Sequence, residues 1–274
     1  MTFIASLAST KGGVGKTALL LSVATELRLR GMRILILDCD PNRNLVGWAK
    51  QRADDGMTVI DGVTENNILD IVAENSAEFD AVLIDLAGFG NLCMLYAYST
   101  SDLLLVPTQK SKFDIAECVK TVTKLREQGR IIAHQPDIAV VVTRTKAAIR
   151  SRVDLHAAAQ LEKKGVPVLS VQLIERDVIA EMTYTGKGPC ETSPGGNADL
   201  NVKSLTDEVI ARIAAAAPNP SVKRRPGSLV PTPEEIAARR SGQVNAAVKA
   251  DADNVVELPA AKSARRKKTA NSKS

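Results

Sequence analysis

A glycine-rich loop between an apolar run and a helical segment constrains the fold of this chain more than any other feature. Residues 3–8 form an apolar run typical of a buried strand, and the loop Thr-Lys-Gly-Gly-Val-Gly-Lys-Thr follows at residues 10–17. A helix is predicted over residues 17–30. Glycines lack a Cβ, so backbone N–H groups can converge on an anion at the positive end of the helix. The segment therefore predicts a phosphate-binding loop, in which Lys16 neutralises phosphate charge and the Thr17 hydroxyl binds Mg²⁺.

The remaining apolar runs alternate with helical segments along the chain. Each run is continuously apolar, which indicates that both faces of its strand are buried. Right-handed crossovers then give an α/β fold with a doubly wound, mostly parallel sheet flanked by helices, and ligands bind such a sheet at the carboxyl ends of its strands. The predicted strands cover residues 33–37, 58–60, 81–84, 103–106, 138–142 and 168–171, and the predicted helices cover residues 66–73, 115–127, 153–164 and 199–216.

Aspartates stand at the ends of two predicted strands. Asp38 and Asp40 follow the run at 33–37 within the sequence Asp-Cys-Asp-Pro-Asn, and Asp85 follows the run at 81–84. Because the carboxyl ends of parallel strands meet at one edge, we expect all three near the phosphate loop. Asp85 suits a carboxylate that holds Mg²⁺ through water. Asp-Pro-Asn is also ordinary turn chemistry, so a capped turn is the alternative role for Asp38 and Asp40.

The loop departs from the ordinary phosphate-binding pattern. Thr10 replaces its first glycine, and a lysine, Lys11, comes early. The run Lys-Gly-Gly-Val-Gly-Lys-Thr resembles the deviant Walker A loop of the ParA/MinD family of dimerising P-loop ATPases. The resemblance implies that the chain binds ATP and Mg²⁺, dimerises with ATP, and hydrolyses ATP slowly without a partner. It also implies that Lys11 reaches the nucleotide of the partner subunit, where it stabilises charge on the transferred phosphoryl group.

Further positions take family roles by the same resemblance. Asp40 orients the attacking water and contacts the Mg²⁺ shell, with Asp38 in support. Asn42 stands where the family usually has glutamine, and Leu86 where it usually has threonine, which favours slow hydrolysis. The implied catalytic residues are Lys11, Lys16, Asp38 and Asp40; the nucleotide-binding residues are Lys11, Gly12, Gly13, Val14, Gly15, Lys16, Thr17, Ala18, Thr143 and Arg144; and the metal-binding residues are Thr17, Asp40 and Asp85.

A short segment indicates a branch of this family. Residues 40–48, Asp-Pro-Asn-Arg-Asn-Leu-Val-Gly-Trp, are similar to the VirC-type ATPases of conjugative plasmids. Three functions therefore stay open, of which the third, a membrane-recruited positioning ATPase, would need a bulky apolar terminal helix that the sequence does not show. The first is a plasmid or chromosome partition ATPase, whose ATP dimer binds double-stranded DNA nonspecifically and is released when a ParB-like partner, bound at a centromere or transfer origin, stimulates hydrolysis. The second is a nucleotide-gated scaffold that recruits a conjugative-transfer or polar-localisation complex. Because the loop begins at Thr10, we expect no preceding helix-turn-helix domain.

Composition disfavours several other classes of protein. Aromatic residues make up only 3%, too few for stacking platforms for single-stranded bases. The four cysteines include no C-x-x-C pair, which disfavours a disulfide scaffold or a zinc ribbon. A nitrogenase-type iron protein needs a second cluster cysteine where this chain has Pro107 and Thr108, so an iron–sulfur cluster is disfavoured. Without a long apolar run or a bulky amphipathic terminal helix, we expect a cytoplasmic, nucleoid-associated protein with no stable membrane association.

Positive charge is concentrated after residue 217. Residues 218–274 hold 12 Lys and Arg against 5 Asp and Glu, a net charge of +7, whereas residues 1–217 carry −2. We therefore predict an ATPase domain over 1–217 and a basic, Pro- and Ala-rich, mostly disordered tail over 218–274 with a short helix over 233–249. The tail is either a solubilising segment or an electrostatic arm for nucleic acid. Candidate DNA contacts in the body, with an exposed helix face as the alternative, are Arg144, Lys146, Arg150, Arg152, Lys163 and Lys164.

Overall fold

A parallel sheet forms the centre of the protein. The computed structural model describes residues 1–52, 56–88, 92–132, 134–146 and 152–240. Its strands are β1 (Phe3–Leu7), β2 (Ile34–Asp38), β3 (Met57–Ile60), β4 (Ala81–Asp85), β5 (Leu103–Thr108) and β6 (Asp137–Val142). They lie in the order β3-β2-β4-β1-β5-β6, with every neighbouring pair parallel. Strand β1, which leads into the phosphate loop, therefore lies inside the sheet between β4 and β5.

Helices cover both faces of this sheet. Alternate side chains of β1 enter opposite cores: Phe3, Ala5 and Leu7 pack in one, and Ile4 packs in the other. Because both faces are covered, the strands need continuously apolar sequences, and the predicted doubly wound α/β fold is confirmed. The helices of this part are α1 (Lys16–Leu29), α2 (Asn44–Ala49), α3 (Ile68–Asn75), α4 (Leu92–Thr100), α5 (Lys112–Gly129), α6 (Arg152–Lys163), α7 (Asp177–Thr185), α8 (Pro189–Thr192) and α9 (Asn197–Ala215).

The predicted strand over residues 168–171 is not formed. Val168 makes a single parallel bridge to Val140. The backbone N–H groups of Ser170 and Val171 then donate to the carboxylate of Glu208 on α9, at 2.7 and 2.8 Å. A side chain thus satisfies the donors that strand pairing would have used, and the chain leaves the sheet.

Residues 218–232, called the strap below, differ from the predicted tail. By its internal contacts the chain divides into a unit from Met1 to Thr232 and a unit from Pro233 to Ser274, so the strap belongs with the body. Arg224 makes two hydrogen bonds to Asp102, at 2.7 and 2.8 Å, and Arg225 pairs with Asp80 at 2.7 Å. Asp80 and Asp102 immediately precede β4 and β5, and both are buried. The strap therefore closes the amino ends of the strands, at the edge of the sheet away from the phosphate loop.

The second unit contains one helix among its described residues, α10 (Pro233–Arg240). It begins with proline followed by two glutamates, which suits a helix amino terminus. The helix predicted over 233–249 is therefore formed in its first half, while residues 241–274, including the basic cluster at 265–268, lie outside the described part of the chain. No helix in the described ranges has the length and apolar character that a membrane span requires.

Candidate nucleotide site

The loop after β1 adopts the conformation that phosphate binding requires. Gly13 and Gly15 have φ values of +74° and +88°, in the left-handed region that favours glycine. Helix α1 begins directly afterwards at Lys16. A Cβ added to Gly12 or Gly13 would meet no protein atom within 4 Å, so the space over the loop is open. The chain therefore presents backbone N–H groups and a helix amino terminus to an accessible anion site.

Lys16 and Thr17 of the phosphate loop both contact Asp85 at the end of β4. Lys16 Nζ forms an ion pair with Asp85 Oδ1, and Thr17 Oγ1 donates to Asp85 Oδ2 at 2.8 Å. Asp85 ends β4, the strand that pairs with β1. Its side chain is only 2% exposed, so a cation and a hydroxyl are needed to satisfy its two oxygens. The hydroxyl and the carboxylate are oxygen donors that Mg²⁺ accepts, so the residues fit that ion.

Asp38 is fixed by the backbone of the turn that follows β2. It accepts hydrogen bonds from the N–H groups of Asp40 at 3.0 Å and Leu45 at 3.2 Å. Burial, and to a smaller extent the nearby charge of Asp85, raise the pKa of the Asp38 carboxyl. Asp38 lies in register with Asp85 on the neighbouring strand. It therefore shapes the turn beside Asp85, and its supporting role in catalysis stays a prediction.

Asp40 caps the same turn. Its Oδ1 accepts from both the backbone N–H and the side-chain amide of Asn42, each at 2.9 Å. The capped-turn alternative is thus formed in the structure, and the Asp40 carboxylate is half-buried in that turn. Leu86, where the family usually has a hydroxyl, is buried in the core.

Lys11 pairs with a residue that sequence reasoning missed. Its Nζ forms an ion pair with Asp114 Oδ1 in the first turn of α5. Burial opposes ionisation, yet hydrogen bonds from Lys11 and Ser111 outweigh it and hold the pKa of Asp114 below its usual value. The Lys11 side chain is 47% exposed, whereas that of Asp114 is 5% exposed. No local pattern pairs these positions, because only the fold places β1 beside β5 and α5.

Thr143 and Arg144 lie on the other side of the loop. Thr143 Oγ1 donates to the carbonyl of Val14 at 2.5 Å, and Arg144 has a left-handed φ of +51°. Both border a cavity of about 330 Å³, whose remaining wall comes from Gly15, Ala18, the segment 173–176 and α7. The nucleotide-binding role of Thr143 and Arg144 stays a prediction, and this cavity is where it would be exercised. The α7 wall was not predicted, although Ile179 and Met182 are apolar at helical spacing and both are buried.

The candidate DNA-binding residues that the structure describes are exposed but do not form a single cluster. Arg152 begins α6 and Lys163 ends it, so the two lie about 17 Å apart along the helix axis. Lys164 follows Lys163, Arg144 borders the cavity described above, and Lys146 is nearby in sequence. Arg150 lies outside the described residues.

The four cysteines are free thiols in buried positions. Cys190 lies with Glu26 and Asp199 in a buried cluster where α1, α8 and α9 meet. Arg30 pairs with Glu26 at 2.8 Å and Lys203 with Asp199 at 2.9 Å, so each carboxylate already has a cation. We interpret this cluster as packing between helices.

Comparison with known proteins points in one direction. The sequence model of the VirC1 protein family matches residues 1–190. The chain is 31% identical over 180 residues to the protein ParA of Rhizobium radiobacter, which covers 65% of this chain and 81% of that protein. It is 27% identical over 184 residues to the protein virC1 of Rhizobium rhizogenes, covering 65% of this chain and 79% of that one.

Solved structures share the fold at low sequence identity. The ATP complex of a McdA variant from Cyanothece matches with a TM-score of 0.64 and 15% identity, over 76% of this chain and 96% of that one. MinD of Pyrococcus horikoshii with Mg-ADP matches with a TM-score of 0.59 and 19% identity, over 76% and 96% of the two chains. Proteins with this fold thus bind ATP and Mg-ADP.

Proposed function

Because the chain belongs to the VirC1/ParA family of ATPases with a deviant Walker A loop, we propose that it is an ATP-dependent dimerising ATPase of DNA partition. The observation that carries the proposal is the meeting of Lys16 and Thr17 with Asp85, beside Asp38 and Asp40. These groups are the cation, the hydroxyl and the carboxylates that phosphoryl transfer to water requires.

Nucleotide binding rearranges the resting contacts of the loop. The positive φ values at Gly13 and Gly15 leave backbone N–H groups free for phosphate oxygens, and Lys16 exchanges Asp85 for phosphate charge. Thr17 and Asp85 would hold Mg²⁺, which would supply charge neutralisation for the transferred phosphoryl group. Thr143 and Arg144 contact the base from the cavity beside the loop.

Hydrolysis depends on Asp40 and on a second subunit. Asp40 orients the attacking water with Asp38 fixing its backbone, since the Asp40 N–H donates to Asp38. Lys11 of one subunit stabilises charge on the phosphoryl group bound by the other, which makes turnover depend on dimerisation. The missing hydroxyl at Leu86 supports a slow reaction that acts as a timer until a ParB-like partner stimulates it.

The dimer in turn binds double-stranded DNA without sequence preference. Exposed Arg and Lys side chains at the two ends of α6 suit phosphate contacts, and the 3% aromatic content favours backbone contact over base recognition. Two basic sites about 17 Å apart on each subunit give the dimer a longer footprint along a duplex than a single cluster would.

Binding of the full-length protein to a random duplex tests the proposal. We expect binding with Mg²⁺-ATP, and little binding with Mg²⁺-ADP or without nucleotide. The variant Lys16→Ala is the control, because it should bind DNA equally under all three conditions. Equal binding by the wild-type protein with and without ATP would rule out a nucleotide-gated DNA switch.

The match to VirC1 supports a second function from a different class, a scaffold that recruits a conjugative-transfer complex. In that case hydrolysis is incidental, and saturating DNA with a transfer-origin-binding partner should leave turnover near zero. Strong stimulation of phosphate release by the two together would exclude the scaffold and favour partition.

A further inference from the structure

The first arm of the phosphate loop is fastened to α5 of the same subunit. Thr10 Oγ1 lies 3.0 Å from Thr121 Oγ1 and donates to Glu117 Oε2 at 3.4 Å. Lys11 Nζ pairs with Asp114 Oδ1 one turn earlier on the same helix. The contacts thus run along one face of α5, at positions separated by three and four residues.

Asp114 is the fixed member of the pair with Lys11. Its backbone N–H donates to Ser111 Oγ at 3.2 Å, and the Ser111 hydroxyl donates back to Asp114 Oδ2 at 2.5 Å. The Asp114 side chain is 5% exposed, so it is held both by the helix cap and by packing. Lys11 is the movable member, because nearly half of its side chain faces solvent.

One ammonium group cannot occupy two places. The role that the proposed function gives to Lys11 lies at the nucleotide of a second subunit, whereas this structure holds Lys11 on its own α5. The contact with Asp114 must therefore break in each subunit before both lysines can cross. The free energy needed to break this ion pair therefore opposes dimerisation twice, once in each subunit.

We propose that Asp114 is a positioning residue that holds Lys11 within its own subunit, and so sets the protein concentration at which the ATP dimer forms. The inference rests on the proposed function, because it takes the crossing of Lys11 from it. A half-exposed ion pair is worth a few-fold in an equilibrium constant, about threefold per subunit. Two such pairs break per dimer, so removing them should strengthen dimerisation about tenfold.

The test compares Asp114→Asn with Glu127→Gln in the full-length protein. Asparagine keeps the shape of the side chain and an oxygen that can accept from Ser111, but it lacks the charge that holds Lys11. Glu127→Gln removes an equal charge from the exposed surface near the other end of the same helix. Sedimentation in Mg²⁺-ATP should give Asp114→Asn a dimer dissociation constant about tenfold lower than that of the wild type, with Glu127→Gln unchanged. Thermal unfolding confirms that both variants are folded.

A second measurement needs no dimer. In the nucleotide-free monomer, acetylation of Lys11 followed by mass spectrometry should be faster in Asp114→Asn than in the wild type, because a carboxylate no longer covers the amine. Equal acetylation of Lys11 in the two proteins overturns the inference. So does a dimer that is no tighter in Asp114→Asn. A wild type that labels as expected but never dimerises with ATP instead contradicts the proposed function.

Discussion

Asp85 serves two side chains of the phosphate loop at once. Lys16 and Thr17 each take one of its oxygens, and its side chain is 2% exposed. The carboxylate is therefore neutralised by side chains of the loop itself. Under the proposed function, Thr17 and Asp85 would hold Mg²⁺, and Lys16 would pair with phosphate oxygens instead of Asp85.

Lys16→Ala should remove nucleotide binding. The variant lacks a charge-assisted contact to phosphate, which is worth about 10- to 100-fold in affinity, and it leaves Asp85 without a cation. We expect titration calorimetry with Mg²⁺-ATP to give no measurable heat. The exposed residue Lys50 offers a matched control, since Lys50→Ala should bind like the wild type. Tight ATP binding by Lys16→Ala would place the phosphates elsewhere.

Asp40→Ala should bind ATP and dimerise but hydrolyse poorly. Loss of a group that orients the attacking water typically lowers the rate of the chemical step by about 100-fold or more. Phosphate release in the presence of DNA and partner measures the effect, and sedimentation measures the trapped dimer. Asn42→Ala is the control, because it disturbs the same turn without removing the carboxylate. Undiminished turnover in Asp40→Ala would refute the assigned role.

At the scale of single elements, the strap contains an ion pair that should contribute strongly to the stability of the fold. Asp102 accepts from the N–H groups of Ile4 and Asn219 and from the Arg224 guanidinium, so its buried charge is fully paired. Arg224→Ala leaves that charge without its cation, which should lower the free energy of unfolding by about 3 kcal/mol. Urea unfolding checks the value. Its neighbour Lys223 is exposed, and Lys223→Ala should stay within about 0.5 kcal/mol of the wild type.

Helix α8 depends on a pair that should respond to pH. Burial alone would raise the pKa of Glu191, but hydrogen bonds from Arg52 and from the Gly188 N–H lower it below the ordinary value of 4.5. A carboxyl group whose folded pKa is depressed contributes stability above its unfolded pKa and loses it as the pH falls through the folded pKa.

Stability should therefore fall more steeply below pH 4.5 in the wild type than in Arg52→Ala. Urea midpoints measured between neutral pH and about pH 3 give the comparison. Lys50→Ala is again the control and should follow the wild type. Parallel curves for the wild type and Arg52→Ala would show that the pair contributes no such dependence.

The sequence predicts the strands of the sheet better than the segments that border the sheet. Continuously apolar runs identified β1, β2, β4, β5 and β6, because a strand buried on both faces leaves little choice of residue. The strand predicted over 168–171 was wrong because of a residue outside that segment. The carboxylate of Glu208, about forty positions later, accepts a backbone N–H that strand pairing would have used. The strap was missed for a similar reason. Its proline and basic residues favour disorder by composition, and only the fold places buried carboxylates next to them.

The candidate site likewise contains residues that the local sequence predicts and residues that it does not. Residues within the loop and at strand ends could be identified from local pattern, as with Lys16, Thr17 and Asp85. Asp114 and the α7 wall of the cavity could not, because nothing near them in sequence specifies a ligand. Their positions follow only from the order of strands and helices in the fold.

At the scale of the whole molecule, the strap changes where the excess of positive charge begins along the chain. Residues 1–232 hold 27 basic and 26 acidic side chains, a net charge of +1, and residues 233–274 hold 9 and 5, a net charge of +4. Two of the basic residues of the strap are already paired with Asp80 and Asp102. The excess of basic residues therefore begins after residue 232, and not at residue 218 as composition indicates.

A chain ending at residue 232 should separate the two sources of DNA binding. Like the full-length protein, it should bind a random duplex with Mg²⁺-ATP and only a little with Mg²⁺-ADP or without nucleotide, and it should lose only the part of the affinity that residues 233–274 contribute. If about five phosphates are neutralised, the logarithm of affinity should fall against that of salt with a slope near −4.5. A chain ending at 217 is the wrong control, because it removes the partners of two buried carboxylates. Loss of ATP-dependent binding at 232 would assign the DNA switch to the later residues.

The strap is also among the last parts of the body to be synthesised. The ribosome makes β1, β4 and β5 long before Arg224 and Arg225, so the nascent chain must carry Asp80 and Asp102 without these cations until residues 218–225 leave the exit tunnel. Chain elongation after the strap gives these ion pairs time to form while the protein is still attached to the ribosome. Translation speed across residues 226–274 should therefore affect the yield of folded protein.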